Sequence, residues 1–249
     1  MSLVKTKDEI ELLKEAGKYT ALTIKKVAEY IKPGISTKEL DEIAYKQIIE
    51  FGCTPSFKGL DEFEYSICTS VNDCVCHGVP SDRILSEGDI ITIDCGCCYK
   101  GYHGDSARTF IVGQTTKENE DLVRETRKAL QLAINQIRPG NHIGDISNAI
   151  ESHLDLMRYS TPIEFTGHGV GKEVHEEPQI PNFGRKGEGM ELIPGMVLAI
   201  EPIAIKGRPH CVIINDGCSV CSKDHSFAAH FEDTVLVTDS GCDILTKED

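Results

Sequence analysis

Apolar side chains recur at steps of three and four residues over 10–31, and this spacing predicts a long amphipathic helix. Pro33 and Gly34 follow directly and would end that helix. A capping box over 36–39 predicts a second helix, which would stop near residue 51. The same spacing returns in two later segments, predicted to be helices at about 117–137 and about 145–157.

Short apolar runs rich in β-branched residues predict strands between and after these helices. The predicted strands lie at about 65–71, 89–98, 102–112, 196–205, 210–214 and 231–238. Gly101 lies in the short gap between the second and third of them, so these two strands are expected to form a hairpin. This mixture of helices and strands predicts an α/β (α+β) fold.

The order of these elements repeats along the chain, and so do the residues at their junctions. The segment 31–34, with its Pro-Gly ending, returns as 137–140. The segment 85–94 aligns with 192–201 without a gap, and each of them ends in an acid. We therefore predict two similar halves packed as one catalytic domain over 1–249, with bounds of about 5–113 and about 117–240.

The charge of the chain narrows its partners. A formal net charge of −14 over 249 residues argues against a nucleic-acid-binding protein, whose surface would be basic. The same charge suits a substrate that carries a positive amine. The longest apolar runs reach about ten residues, which is far short of a membrane span. No signal segment opens the sequence, so a protein of the cytoplasm without membrane contact is expected.

The eleven cysteines are expected to be reduced thiols that act as small apolar side chains, because nothing else in the sequence is typical of a secreted protein. Two Cys-x-x-Cys pairs offer a less favoured alternative, a structural zinc site. These pairs are Cys95 with Cys98 and Cys218 with Cys221. The pairs lie far apart, and such spacings arise by chance in a cysteine-rich chain.

Five ionisable side chains lie within or beside apolar, strand-like segments: Asp94, Asp105, His168, Glu201 and Glu232. A buried carboxylate is costly unless a proton, a base or a metal ion compensates it, and basic residues near these positions are few. Oxygen-rich ligands with a single imidazole are typical of a hydrolytic two-metal site. Across the predicted hairpin, Asp94 and Asp105 would share one face of the sheet.

The segment 167–178 is the densest in residues that carry chemistry. Its glycines let the backbone pass close to a bound group, and we expect His168 and His175 to project from an irregular loop. A phosphate-binding loop is not favoured, because no Lys-Ser/Thr pair follows.

Several short motifs follow one another in order: His77-Gly-Val-Pro80, Asp94 with His103-Gly-Asp105, Gly167-His-Gly-Val-Gly171, His175-Glu-Glu-Pro178, Ile200-Glu-Pro202 and Phe231-Glu-Asp-Thr234. Together they resemble the motifs of the type I methionine aminopeptidases, over nearly the whole chain. The resemblance implies the duplicated pita-bread fold of creatinases and aminopeptidases, in which two pseudo-symmetric αβ halves surround a central dinuclear metal site.

The resemblance also implies how two divalent metal ions would be held. Asp94 would chelate one ion, and Asp105 and Glu232 would bridge both. His168 and Glu201 would complete the second ion. A water bridging the ions would attack the peptide bond, with Glu201 as its proton acceptor. Mn²⁺, Fe²⁺ and Co²⁺ all suit such ligands.

Further roles are implied for residues around the metals. His175 would polarise the scissile carbonyl and stabilise the oxyanion, and His77 would position the amide of the second residue. Phe57, Phe63 and Cys68 would line the pocket for the methionine side chain.

The predicted function is removal of the initiator methionine from nascent or completed polypeptides with a small second residue. Two alternatives stay open: a proline-specific (X-Pro) peptidase on the same fold, and a non-catalytic binding homologue. The expected partners are polypeptide N-termini, with the ribosome as a weaker candidate. The protein is expected to be a monomer.

Overall fold

The computed structural model describes residues 2–247, and four α-helices cover the predicted helical segments. They are α1 (Lys7–Ala28), α2 (Thr37–Glu50), α3 (Lys117–Ile134) and α4 (Ile143–Met157). All four helices are confirmed, with ends that differ from the predictions by a few residues. In the described part of the chain, no helix has the length and apolar character needed to cross a membrane.

Capping boxes begin the first two helices. The Thr6 hydroxyl accepts a hydrogen bond from the backbone N–H of Glu9 at 3.3 Å, and the Glu9 carboxylate accepts one from the backbone N–H of Thr6 at 2.8 Å. Ser36 and Glu39 repeat this exchange at 3.2 Å and 2.8 Å, as predicted. Both boxes satisfy N–H groups that a helix N-terminus leaves without partners.

The strands of the described chain are β1 (Thr54–Pro55), β2 (Ile67–Val71), β3 (Cys74–Cys76), β4 (Ile90–Tyr99), β5 (Tyr102–Ile111), β6 (Thr166–Gly169), β7 (Glu176–Pro181), β8 (Val197–Ile200), β9 (Ile203–Ile205), β10 (Cys211–Ile213), β11 (Val220–Ser222), β12 (Ala228–His230), β13 (Glu232–Val237) and β14 (Cys242–Ile244). A nine-stranded sheet has the order β1-β4-β5-β13-β8-β6-β7, with β2 also on β4 and β14 also on β13. Two small sheets, β10-β11-β3 and β12-β9, lie outside it.

The predicted hairpin is confirmed as the longest pairing of the large sheet. Strands β4 and β5 are ten residues each and pair antiparallel along their whole length. The turn between them contains Gly101 at φ 82°, a left-handed conformation that glycine adopts without steric cost.

One strand predicted as continuous is broken, and this part of the prediction was wrong. The segment 196–205 forms β8 and β9, which lie in different sheets. Pro202 stands in the gap and has no N–H for a ladder hydrogen bond. The strand predicted at 231–238 is confirmed as β13, and β12 lies just before it in a different sheet. Between β8 and β9, and again between β12 and β13, the chain changes sheets beside a glutamate, Glu201 or Glu232.

Two apolar clusters cover the large sheet, one for each helix pair. Helices α1 and α2 pack on the sheet through residues that include Ile24, Leu40, Ile48 and Ile91. Helices α3 and α4 pack through residues that include Leu122, Ile146, Ile150 and Leu198. The αα-then-sheet arrangement therefore occurs twice around one sheet.

All eleven cysteines are free thiols, and the two pairs of the zinc alternative lie in separate parts of the fold. Cys95 and Cys98 lie on β4, whereas Cys221 lies on β11, opposite Cys74 of β3. Over residues 2–247, the groups of side chains close enough to hold one ion contain no cysteine. The geometry therefore gives no support to a four-cysteine zinc site.

Candidate metal centre

The hairpin places Asp94 and Asp105 on one face of the large sheet. Asp94 lies opposite Ala107, and Asp105 lies opposite Gly96. The two aspartates are thus diagonal neighbours, two positions apart in register, and side chains at this offset point to the same side. The predicted shared face is confirmed, although the acids are not directly opposite each other.

Strand β13 brings Glu232 to the same face. Ala107 pairs with Glu232 on one side and with Asp94 on the other, so three strands present acid, alanine, acid in one row. The Thr234 hydroxyl, buried between the strands, donates to the Asp105 carbonyl at 2.7 Å and accepts from the Asp105 N–H at 3.0 Å. Strand pairing and the Thr234 hydroxyl therefore fix the backbone of Glu232 relative to that of Asp105.

His168 and Glu201 approach from the other side of β13. His168 lies on β6 opposite Ala199 of β8, and Glu201 comes directly after β8. The His168 Nε2 atom is 3.6 Å from Glu201 Oε1 and 3.9 Å from Glu232 Oε1. His168 was expected on an irregular loop, but it lies in a strand, because its flanking glycines allow close strand packing. A Cβ at Gly167 would lie 2.4 Å from the Ala199 carbonyl oxygen.

Burial controls the ionisation of these side chains. Burial raises the pKa of the Asp94 carboxyl to about 7. Burial, and next the charge of Asp94, raise the pKa of Asp105 and of Glu201 well above the usual range. Burial and then Asp105 do the same for Glu232. Burial lowers the pKa of His168 to about 3, so its imidazole is neutral and able to bind a metal.

Oxygen atoms without partners show that this donor set fits metal ions. Asp94 Oδ1, Asp105 Oδ1 and Glu232 Oε1 are buried with no hydrogen-bond partner among the described residues. One ligand atom from each of Asp94, Asp105 and Glu232 lies within 4.8 Å of the others. A second such group is His168, Glu201 and Glu232. Two groups that share a carboxylate are the arrangement that two neighbouring divalent ions require.

The accessory histidines lie at the rim of this centre. The His175 ring is exposed and lies 4.5 Å from the His168 ring, centroid to centroid. Next to it in sequence, Glu176 pairs with Lys5 at 2.5 Å, which ties the loop to the N-terminal segment. His77 follows β3 with φ 54°, and its ring packs edge-on against Phe165 at 5.5 Å.

A cavity of about 310 Å³ opens above the acids. Phe57, Phe63 and Cys68 lie on its wall and pack together with Val174 in one apolar cluster. Cys68 pairs directly with Asp94 across β2 and β4, so the apolar pocket adjoins the candidate metal ligands. The structure therefore places all the side chains predicted for the site around one cavity.

Three residues that the sequence reasoning missed also support the site. Arg108 pairs with Asp233 at 2.7 Å and donates to the Glu232 carbonyl at 2.5 Å. His230 is buried, with its Nε2 atom 3.6 Å from Glu201 Oε2. A signal for His230 was present, since it lies two residues before Glu232, but the predicted strand began one residue too late to include it.

The fold and the acidic centre define the class of protein as a metallopeptidase of pita-bread fold. The methionine aminopeptidase of Thermotoga maritima superposes with a TM-score of 0.98, at 41% identity and full coverage of both chains. The prolidase of Pyrococcus furiosus superposes with a TM-score of 0.82 at 25% identity, where the match covers 99% of this chain and 66% of the prolidase. The predicted fold class is confirmed.

The model of metallopeptidase family M24 matches residues 11–239. Methionine aminopeptidase 1 of Bacillus subtilis is 44% identical over 99% of this chain and 100% of its own length. The chain therefore belongs to metallopeptidase family M24 and, within it, to the methionine aminopeptidases. Membership of this family implies divalent metal ions as cofactors.

Proposed function

We propose that this chain is a metal-dependent aminopeptidase that releases the initiator methionine from polypeptides with a small second residue. The observation that carries the proposal is that four acids, two buried and two partly buried, line one cavity together with His168 and an apolar cluster. The match to the prolidase covers only 66% of the prolidase chain. The match to methionine aminopeptidase 1 covers 99% of this chain and 100% of that relative, and it favours methionine release over X-Pro cleavage.

Two divalent ions, Mn²⁺, Fe²⁺ or Co²⁺, are the proposed cofactors. Asp94 would hold one, His168 and Glu201 the other, with Asp105 and Glu232 shared between them. When bound, the ions would supply a water of lowered pKa as the nucleophile and would polarise the scissile carbonyl.

The protein side chains would move protons and hold the substrate. Glu201, directly after β8 and lining the cavity, would accept a proton from the nucleophile and return it to the leaving amine. His175, next to His168 at the rim, would donate to the developing oxyanion. His77, which also lines the cavity, would orient the amide of the second residue.

The cavity wall would select the substrate. Phe57, Phe63 and Cys68 offer an apolar, polarizable surface for a methionine thioether. The acids on the floor would attract the positive N-terminal amine of a nascent or completed polypeptide. We further propose that the chain acts as a monomer of one catalytic domain, with halves at about 5–113 and about 117–240. The proposed docking partner is the ribosome.

Product release from short peptides tests this function. Metal-stripped protein reloaded with Mn²⁺ or Co²⁺ should release methionine from Met-Ala-Ser. It should leave N-acetylated Met-Ala-Ser intact, because the blocked peptide lacks the free amine, and should cut Met-Leu-Ser poorly. Cleavage of Ala-Pro with no release from Met-Ala-Ser would establish the X-Pro alternative. Metal binding without cleavage of either peptide would establish a binding homologue.

A further inference from the structure

His230 is a rigid, buried residue at the wall of the metal centre. It ends β12, pairs with Ile203 of β9, and its side chain is 3% exposed. The Thr109 hydroxyl donates to the His230 carbonyl at 2.8 Å and accepts from its N–H at 2.9 Å. Because the backbone is held on both sides, the direction of the imidazole is fixed.

Two imidazoles lie near different oxygens of the same two carboxylates. His230 Nε2 lies 3.6 Å from Glu201 Oε2 and 4.0 Å from Glu232 Oε2. His168 Nε2 lies 3.6 Å and 3.9 Å from the Oε1 atoms of these same glutamates. Glu201 and Glu232 therefore stand between one imidazole predicted as a metal ligand and a second that has no assigned role.

The two ring nitrogens of His230 are buried, and neither Nδ1 nor Nε2 has a hydrogen-bond partner among the described residues. A buried polar group without a partner costs free energy, so such groups persist where function requires them. A neutral imidazole carries one N–H and can donate it from Nε2.

The distances distinguish a hydrogen-bond donor from a metal ligand. His168 belongs to two of the described groups whose ligand atoms all lie within 4.8 Å of one another, whereas His230 belongs to none of them. A hydrogen-bond donor, in contrast, needs only one acceptor oxygen nearby. His230 Nε2 lies 3.6 Å from Glu201 Oε2, and a shift of about 0.5 Å would bring the two atoms to hydrogen-bond distance.

We propose that His230 is a positioning residue of the metal centre. It donates from Nε2 to Glu201 Oε2 and so holds Glu201 Oε1, the oxygen nearer His168, towards the metal ion. The proposal rests on the proposed function for the identity of the centre. Hydrogen bonds to ligating carboxylates orient them, and their removal weakens metal binding by about 10–100-fold.

Calorimetric titration of metal-stripped protein with Mn²⁺ tests the role without measuring catalysis. His230→Phe removes both nitrogens at similar volume and should weaken Mn²⁺ binding by about 10–100-fold. His230→Gln keeps an N–H donor and should recover most of that affinity. Should His230→Phe fail to fold, His230→Ala carries the same expectation. Equal affinity in the wild type and in the folded variant would overturn the proposal.

His153→Phe is the matched control. His153 is also buried, with its Nε2 atom 3.0 Å from Glu125 Oε2, but it lies between α3 and α4, outside the centre. Its replacement should leave Mn²⁺ affinity unchanged. A loss equal to that of His230→Phe would assign the effect to general destabilisation and overturn the proposal.

Pulsed electron paramagnetic resonance of bound Mn²⁺ separates the donor from a ligand. The wild type and His230→Phe should both show the same directly bound imidazole nitrogens. Loss of one such nitrogen in His230→Phe would make His230 a ligand and overturn the positioning role. Release of methionine by the wild type is scored separately: its absence would refute the proposed function, while Mn²⁺ affinity alone decides the role of His230.

Discussion

The two halves of the metal centre hold their acids in different ways. In the first half, Asp94 and Asp105 lie inside β4 and β5, which pair over ten residues each. In the second half, Glu201 comes directly after the four-residue β8, and Glu232 is the first residue of β13. Asp94 and Glu201 correspond in sequence, yet one lies within a ladder and the other where the chain leaves the sheet.

Side chains supplement a shorter ladder in the second half, where Glu232 pairs with Ala107 at the start of β13 and Glu201 lies past the end of β8. Asn182 donates to the Glu201 carbonyl at 3.0 Å, and Arg108 donates to the Glu232 carbonyl at 2.5 Å. His230 approaches the carboxylate of Glu201 itself. The first half thus depends more on backbone pairing and the second more on side-chain contacts, so substitutions outside the ligands should matter more in the second half.

The largest effect is expected from Glu201→Ala. The substitution removes a proposed proton acceptor, whose loss alone costs about 10²–10⁴-fold in rate. Folding should stay intact, because Glu201 is at a strand end beside the cavity. The measurement is kcat/KM for Met-Ala-Ser together with circular dichroism, and Glu42→Ala on exposed α2 surface is the control. A fully active Glu201→Ala protein would remove Glu201 from the mechanism.

His77→Ala should act on turnover and leave the metals in place. His77 is outside the described groups of candidate ligands, so metal content should match the wild type while kcat falls by about 10²–10³-fold through loss of a substrate contact. Asp94→Asn, prepared in parallel, should lose bound metal. Elemental analysis decides, and metal loss from His77→Ala would show that its assigned role is wrong.

Metal-free protein should lose stability as the pH rises. Burial raises the pKa of Asp94 to about 7 in the folded state, against roughly 3.9 in an unfolded chain. The folded state therefore binds the proton more tightly, and stability falls between about pH 4 and about pH 7. Asp105, Glu201 and Glu232 have pKa values raised further and extend the fall to higher pH.

Bound Mn²⁺ replaces these protons, so the loss should shrink in loaded protein. Thermal unfolding of chelated and loaded protein from about pH 5 to about pH 8 measures the difference. A Tm of the chelated protein that rises over this range would contradict the burial of the acids.

The smallest effects concern the two cores. Ile91→Val, on β4 beneath α1 and α2, and Ile146→Val, within α4, should each cost about 0.5–1.5 kcal/mol, since both side chains are fully buried. Their effects should add in the double variant, because the two clusters are separate. Urea unfolding should show one transition for a single domain. Two transitions, each shifted by one variant, would divide the chain into two domains.

Local sequence signals were sufficient for the elements that depend on neighbours in the chain. The capping box at Ser36, the four helices and the turn at Gly101 were predicted correctly, because each depends on residues a few positions apart. The break at Pro202 was missed, although the signal was present. Apolar residues lie on both sides of the proline, so the segment was predicted as one strand, although its two parts belong to different sheets.

Composition and spacing by themselves indicated that these acids and an imidazole would share a compensating ion, because ionised carboxylates are costly in an apolar setting. Only the tertiary structure decided which oxygens face each other, and it brought His230 to Glu201 and Cys68 to Asp94. These contacts follow from strand pairing between distant segments, whose register no local pattern specifies. The asymmetry of the two half-sites is therefore a property of the sheet.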